Sequence, residues 1–159
     1  MQKNWKIVIT SKDLYLENPS KEELLDLITA SLPYREITSQ IVRLAVHVIK
    51  IQIYAKSTTS WERTITSAVA DIKNLNLRRK ASGDYYSLEE LHQMLLTKWV
   101  PILSWVANES AGQWKTSELQ KMVAPNAIWT EIKELLLAKN ESAEEKAVEK
   151  LKPQRKKRK

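Results

Sequence analysis

Residues 35–56 read REITSQIVRLAVHVIKIQIYAK, and this stretch decides the fold class. Apolar residues recur in it every three to four positions, which is the spacing of a helix with a buried face. They form two stripes separated by a narrow polar strip, the first with Ile37, Ile41, Leu44, Val48 and Ile51, the second with Val42, Val46, Ile49 and Ile53. The stretch is therefore predicted to be a central helix buried on two sides. The alternation at 49–53 leaves a strand open as the alternative.

A first helix is predicted immediately before this stretch. Ser20 and Glu23 have the spacing of a capping box, in which each residue satisfies a free backbone N–H of the first turn. Apolar residues follow at helical spacing as far as Leu32. Because proline disfavours helical backbone in the residue before it, this helix should stop before Pro33.

The sequence after residue 56 predicts the rest of a helical bundle. Ser87 and Glu90 form a second capping box that opens a helix as far as about residue 106, which Pro101 should bend or break. Further helices are predicted over residues 61–79, 117–123 and 126–139. The fold class is therefore all-α, a compact helical bundle of about five helices.

The two ends of the chain differ in composition from the bundle, which is predicted to span residues 20–139. Residues 5–10 are rich in β-branched side chains and predict a short strand without a partner, or an extended arm, within residues 1–19. Residues 140–159 contain four glutamates, end in QRKKRK and offer almost nothing to bury. They are predicted to form a charged, flexible tail whose deletion leaves the fold intact, with a helical first part left open as the alternative.

The counts of two glycines and no cysteine exclude most standard catalytic motifs. Phosphate-binding and dinucleotide-binding loops need several closely spaced glycines, and thiolate nucleophiles and most structural zinc sites need cysteine. Glu89 and His92 have the spacing of half a carboxylate-bridged dimetal site, but the second half is missing. The chain is therefore predicted not to be an enzyme and to hold no cofactor and no metal.

The hydropathy pattern excludes a membrane span. The longest apolar-rich stretch, residues 41–54, is shorter than the roughly 18 residues that a span requires, and Arg43 and Lys50 interrupt it. The N-terminus has too short an apolar patch for a signal peptide. We expect a soluble, cytoplasmic protein that makes no membrane contact.

Positive charge is concentrated in residues 35–80. This region has nine basic and three acidic side chains, an excess of six within a net charge of +7 for the whole chain. The helical spacing places the cations in rows, and small residues between Arg63 and Arg78 would let a phosphate backbone approach. The predicted nucleic-acid-binding residues are Arg43, His47, Lys50, Lys56, Arg63, Lys73, Arg78, Arg79 and Lys80. Solvated charged faces are the alternative interpretation of the same pattern.

Six tryptophans stand in a chain without phenylalanine. Three of them fall on apolar stripes and are predicted core residues, namely Trp61, Trp99 and Trp129. The other three are less constrained and suit a subunit contact, namely Trp5, Trp105 and Trp114. Base stacking by Trp114, or by Tyr85 and Tyr86, is a further hypothesis, because aromatic side chains in loops serve as stacking platforms.

The combination of a helical bundle without catalytic groups, a basic two-helix face, spare aromatics and an N-terminal strand resembles the small subunit of type I CRISPR Cascade effector complexes. The resemblance covers the architecture of residues 20–139 and no signature motif. It implies a non-catalytic subunit that packs in several copies beside other subunits of a ribonucleoprotein. It also implies contact with the guide RNA–target DNA region and the displaced strand.

Two other functions fit the same sequence. A helical adaptor or scaffold subunit would use the basic face to dock an acidic protein partner. A viral or phage nucleoprotein-like packaging factor would use it on nucleic acid in another setting. The sequence does not distinguish DNA from RNA as the direct ligand.

Overall fold

The computed structural model describes residues 4–8, 13–17, 20–77 and 83–153. It is mostly helical, in agreement with the all-α prediction. Within the described residues, two short strands precede seven helices. The strands are β1 (Asn4–Val8) and β2 (Asp13–Glu17), and the helices are α1 (Lys21–Tyr54), α2 (Thr59–Asn76), α3 (Leu88–Thr97), α4 (Trp99–Glu109), α5 (Thr116–Met122), α6 (Pro125–Leu137) and α7 (Glu141–Leu151).

The central helix α1 is longer than predicted. Ser20 caps its start, accepting a hydrogen bond from the backbone N–H of Glu23 at 3.1 Å. The expected stop before Pro33 is wrong, since the helix continues through the proline to Tyr54. Proline inside a helix costs about 3 kcal/mol. Fully buried side chains just beyond it, Ile37 and Ile41 among them, each stabilise the fold by about 1.5–3 kcal/mol and offset that cost.

Helix α2 packs along α1, and a side chain at its end is hydrogen-bonded to the segment before α3. Thr58 caps its start through the backbone N–H of Trp61. At the other end, the buried amide of Asn76 donates to the backbone carbonyl of Tyr86 and accepts from its N–H, both at 2.9 Å. Leu77 pairs with Asp84 in an isolated antiparallel bridge. The chain therefore leaves α2 and returns toward α3 at the same place.

The predicted helix around residues 87–106 is divided in two. Ser87 and Glu90 form the predicted capping box at the start of α3. The break falls at Lys98, after which α4 begins, so Pro101 occupies the first turn of a new helix. Backbone N–H groups in a first turn have no partner within the helix, so proline removes no hydrogen bond there. The helix was expected to bend or break at Pro101, and it breaks at Lys98, three residues earlier.

The N-terminal segment pairs with itself. β1 and β2 are antiparallel, with Trp5 opposite Leu16 and Ile7 opposite Leu14. The expectation of a strand without a partner in this chain therefore differs from the structure. An antiparallel pair needs only a short connection, and Val8 and Asp13 are close in the sequence.

The segment expected to be a flexible tail contains a packed helix. Asn140 caps α7 by accepting from the backbone N–H of Ala143 at 2.8 Å. Ala147, Val148 and Leu151 are buried, and α7 contacts α1, α2 and α6. The boundary predicted after residue 139 therefore does not separate the bundle from a tail at that point. The described residues hold seven helices where about five were predicted.

Candidate nucleic-acid interface

The structure divides four of the predicted cations between a cavity beside α4 and the surroundings of α7. Lys50 and Lys56 line one cavity, which also involves Glu109 of α4. Arg63 lines another groove, between α2 and α7. Lys73 also points toward α7, through Glu144. Three other predicted residues, Arg78, Arg79 and Lys80, lie outside the described residues.

Lys50 is committed to contacts within the protein. Its ammonium forms an ion pair with the Glu109 carboxylate, and only 12% of its side chain is exposed. Its Nζ also lies 5.6 Å from the centroid of the Trp61 ring. That distance is within the range of a cation–π interaction. The charge of Lys50 is therefore largely balanced before any ligand arrives.

Glu109 is held by two donors. The indole Nε1 of Trp105 donates to it at 2.8 Å, and the Lys50 ammonium donates from the other side. Burial alone would raise the pKa of the Glu109 carboxyl, but hydrogen bonds from Lys50 and Trp105 outweigh it and leave that pKa below its usual value. Glu109 therefore stays ionised and fixes the positions of both partners.

His47 lies half-buried on the polar strip of α1, between Arg43 and Lys50. This strip consists of Glu36, Gln40, Arg43, His47, Lys50 and Tyr54. Its Nδ1 donates to the backbone carbonyl of Arg43 at 2.8 Å. The ring nitrogen must be the donor in this bond, because a carbonyl can only accept. Burial is the main cause that lowers the pKa of His47, with Lys50 adding to it, although the Arg43 carbonyl acts in the opposite direction. A neutral His47 contributes no cation to a phosphate site near pH 7.

Lys73 binds the C-terminal end of α6 and is not available to a ligand. Its ammonium donates to the backbone carbonyl of Ala138 at 2.9 Å, and Ala138 is the C-terminal cap of α6. The Glu144 carboxylate lies 3.9 Å away. A cation at a helix C-terminus satisfies free carbonyls and the negative end of the helix dipole. These contacts give the half-buried Lys73 a structural role.

Arg63 lies in a groove dominated by carboxylates. The groove encloses 780 Å³ between α2 and α7. Five glutamates line it together with Arg63, namely Glu62, Glu141, Glu144, Glu145 and Glu149. These charges repel phosphate, so Arg63 is poorly placed for the backbone contact predicted from the sequence.

Arg43 and Lys56 are the predicted cations that the structure leaves most available among those it describes. Arg43 is half-buried and its guanidinium donates to Gln40 Oε1 at 3.4 Å. Lys56 is exposed just beyond the end of α1, with its Nζ 5.9 Å from the Tyr54 ring centroid. Neither takes part in an ion pair within the described part of the chain.

An aromatic cluster borders the cavity that Lys50 and Lys56 line. The Tyr54 ring meets Trp114 edge-on, with centroids 4.8 Å apart and planes at 78°. It is tilted by 41° to Trp61, at 5.8 Å. The cavity holds 510 Å³ and is open to solvent beside Tyr54 and Trp61. The predicted core tryptophan Trp61 is therefore only half-buried and forms part of a surface.

Sequence reasoning missed Glu109 and the grouping of Trp61 with Trp114. Lys50 and Glu109 are far apart in the sequence, on different helices, and no local spacing reports such a contact. Trp105, expected at a subunit contact, is 42% exposed and bonded to Glu109. Trp129 is buried as predicted, and its ring stacks on His92 at 4.8 Å.

The E-x-x-H pair does not become a metal centre in the residues that the structure describes. His92 Nε2 is buried without a hydrogen-bond partner there, beside the Trp129 ring. No group of three histidine, aspartate or glutamate side chains suited to a metal ion occurs in the described ranges. Over those same ranges, no helix is both long enough and apolar enough to cross a membrane.

Comparison with known proteins returned nothing: no protein-family model, curated protein or solved structure matches this chain.

Proposed function

We propose that this chain is a non-catalytic nucleic-acid-binding protein and that its interface is the polar strip of α1 with its extension at Lys56. The observation that carries the proposal is the availability of Arg43 and Lys56 on this side of the molecule. Neither is neutralised by an ion pair among the described residues, whereas Lys50 and Lys73 are.

The distribution of charge supports the same assignment. Residues 35–80 contain most of the excess positive charge, and the chain as a whole has a net charge of +7. Cations in rows contact phosphates, which gives affinity without sequence specificity. Arg78, Arg79 and Lys80 add three charges in the segment that begins directly after Leu77 of the Leu77–Asp84 bridge.

The salt dependence of binding tests the proposal. Fluorescence anisotropy is measured with labelled single-stranded DNA, single-stranded RNA and duplex DNA, for the wild type and the Arg43→Gln/Lys56→Gln variant. Each lost phosphate contact reduces the slope of log K against log salt by about 0.7 on single strands and about 0.9 on duplex DNA. We therefore expect the double variant to lose about 1.4 to 1.8 of slope.

The matched control is the Lys121→Gln/Lys133→Gln variant. Both lysines are exposed, on α5 and α6, and the control changes the net charge by the same amount. It should bind with the wild-type slope. Absence of wild-type binding at low salt, or equal slopes for the two double variants, would contradict the proposal and favour an adaptor that docks an acidic protein.

Membership of a CRISPR effector complex is a narrower proposal that rests on the architectural resemblance. It requires copies of the chain beside other subunits and a guide RNA. Co-purification followed by mass spectrometry and nucleic-acid extraction would identify such an assembly.

A further inference from the structure

We infer that the cavity beside Tyr54 and Trp61 receives an unpaired nucleobase of a single-stranded nucleic acid, with the neighbouring phosphate at Lys56. This inference rests on the proposed function and specifies its ligand. It assigns the aromatic cluster the role of binding a base, in addition to the phosphate contacts proposed for the polar strip of α1.

The shape of the cavity suits a flat aromatic ligand. Its volume of 510 Å³ is typical of the pockets that hold small molecules. Tyr54, Trp61 and Trp114 are all half-buried, so each ring is fixed by packing while part of its surface stays accessible. Trp114 supports the Tyr54 ring edge-on and thereby fixes the plane that a base would meet. A prepositioned ring loses little conformational entropy when a base stacks on it.

The charges around the cavity select an anionic ligand over a cationic one. The lining contains two ammonium groups and one carboxylate, and that carboxylate is already engaged by Lys50 and Trp105. Here Nζ of Lys50 lies 5.6 Å from the Trp61 ring centroid, and Nζ of Lys56 lies 5.9 Å from that of Tyr54. Because Glu109 balances Lys50, Lys56 carries the excess positive charge of the lining, and it would repel a cationic ligand.

Lys56 is placed to hold the phosphate. Ala55 has a left-handed backbone conformation with φ 51°, which ends α1 and turns Lys56 away from the helix axis. The free carbonyls at this helix end disfavour an anion. A phosphate here must therefore be neutralised by the exposed lysine and not by the helix itself.

Stacking in this cavity requires a base with a free face. In a duplex both faces of each base are covered by neighbours, whereas single strands can present a base to an aromatic side chain. Alanine substitution at such contacts costs about 1–3 kcal/mol per base. The cavity thus predicts a preference for single strands that phosphate contacts alone would not produce.

Photo-crosslinking and binding together test this inference. A single-stranded oligonucleotide containing 5-iododeoxyuridine is irradiated with the wild-type protein, and crosslinked peptides are identified by mass spectrometry. We expect crosslinks at Tyr54 or Trp61. In anisotropy measurements, Tyr54→Leu should weaken binding of oligo(dT) by about tenfold and leave binding of duplex DNA unchanged. Tyr54→Phe, which keeps the ring, should bind like the wild type.

The outcomes separate this inference from the proposed function. If the wild type binds oligo(dT) and duplex DNA equally and its crosslinks fall elsewhere, the base-stacking site is wrong while nucleic-acid binding stands. If the wild type binds neither at low salt, both are wrong. If circular dichroism shows that Tyr54→Leu does not fold, the crosslinks of the wild type alone test the base-stacking site: crosslinks at Tyr54 or Trp61 support it, and crosslinks elsewhere contradict it. A lysine comparison, Lys56→Gln against Lys133→Gln, then measures the phosphate contact.

Discussion

The side-chain amide of Asn76 makes the most local of the contacts that fix this fold. It is 5% exposed and satisfies both backbone polar groups of Tyr86 across the connection between α2 and α3. An asparagine can do this because its amide has a donor and an acceptor side by side. Asn76 therefore takes the place of a backbone partner for both the N–H and the C=O of Tyr86.

Replacing Asn76 with alanine should destabilise the protein by about 2 kcal/mol, because it removes two buried hydrogen bonds worth about 1 kcal/mol each. Urea unfolding followed by circular dichroism gives the free energy of unfolding. Asn74→Ala serves as the control, since Asn74 is exposed two residues earlier on the same helix. The control should cost less than about 0.7 kcal/mol. Equal effects of the two substitutions would contradict the role of Asn76.

Single residues also show what the sequence leaves undecided at the site. Spacing correctly groups Arg43, His47 and Lys50 on one strip of α1, since that grouping depends only on helical geometry. The state of each one depends on partners from other elements. Lys50 is neutralised by Glu109, and burial lowers the pKa of His47, and neither effect has a local sequence signal.

At the scale of elements, helix α7 differs most from its prediction. Glutamates and lysines conceal a short apolar stripe in its sequence, formed by Ala143, Ala147 and Leu151 at i, i+4 and i+8. That stripe, together with Asn140 as a cap, is a signal that could have identified the helix. The helices that α7 packs against are set by the arrangement of the whole bundle, and no local sequence pattern predicts that arrangement. The same holds for Pro33, where tertiary burial overrides a local stop signal.

Leu151→Ala should lower the free energy of unfolding by about 2 kcal/mol, the lower end of the range for buried leucines. The effect is at that end because Leu151 is 9% exposed at the edge of the core. Lys146→Ala, at an exposed position on the same helix, is the matched control. It should change the free energy of unfolding by less than about 0.5 kcal/mol. Thermal or urea unfolding measures both, and an unchanged midpoint for Leu151→Ala would mean that α7 does not pack on the bundle in solution.

At the scale of the whole molecule, the charges divide between a strip on α1 with the cations Arg43 and Lys56 and an acidic groove between α2 and α7. The groove between α2 and α7 contains five glutamates, and the strip contains Arg43 and ends at Lys56. The net charge of +7 therefore does not describe how unevenly the charges are distributed over the surface. A polyanion is attracted to the strip and repelled by the groove, so it should approach in a preferred orientation.

The titration of His47 should make stability depend on pH below about 6.5. Because burial lowers its folded pKa below 6.5, the unfolded chain binds more protons, and stability falls as the pH drops below about 6.5. The loss ends at the lower folded pKa. Glu109, whose folded pKa is also lowered, contributes stability that is lost only below about 4.5. The two losses therefore begin at different pH values, near 6.5 for His47 and near 4.5 for Glu109.

Urea unfolding at a series of pH values checks this expectation. His47→Asn removes the titrating ring and keeps an amide donor for the Arg43 carbonyl. It should flatten the fall below about pH 6.5 and leave the fall below about pH 4.5 in place. Identical pH profiles for the variant and the wild type would show that His47 does not titrate differently on folding.

The bridge between Leu77 and Asp84 has a consequence for how this protein can change over evolution. Antiparallel partners keep their Cα atoms about 4.5–5.5 Å apart, so the chain between them begins and ends at nearly one point. Lengthening such a connection costs little, since closure entropy grows only with the logarithm of its length. A longer connection between Leu77 and Asp84 should therefore cost the bundle little stability.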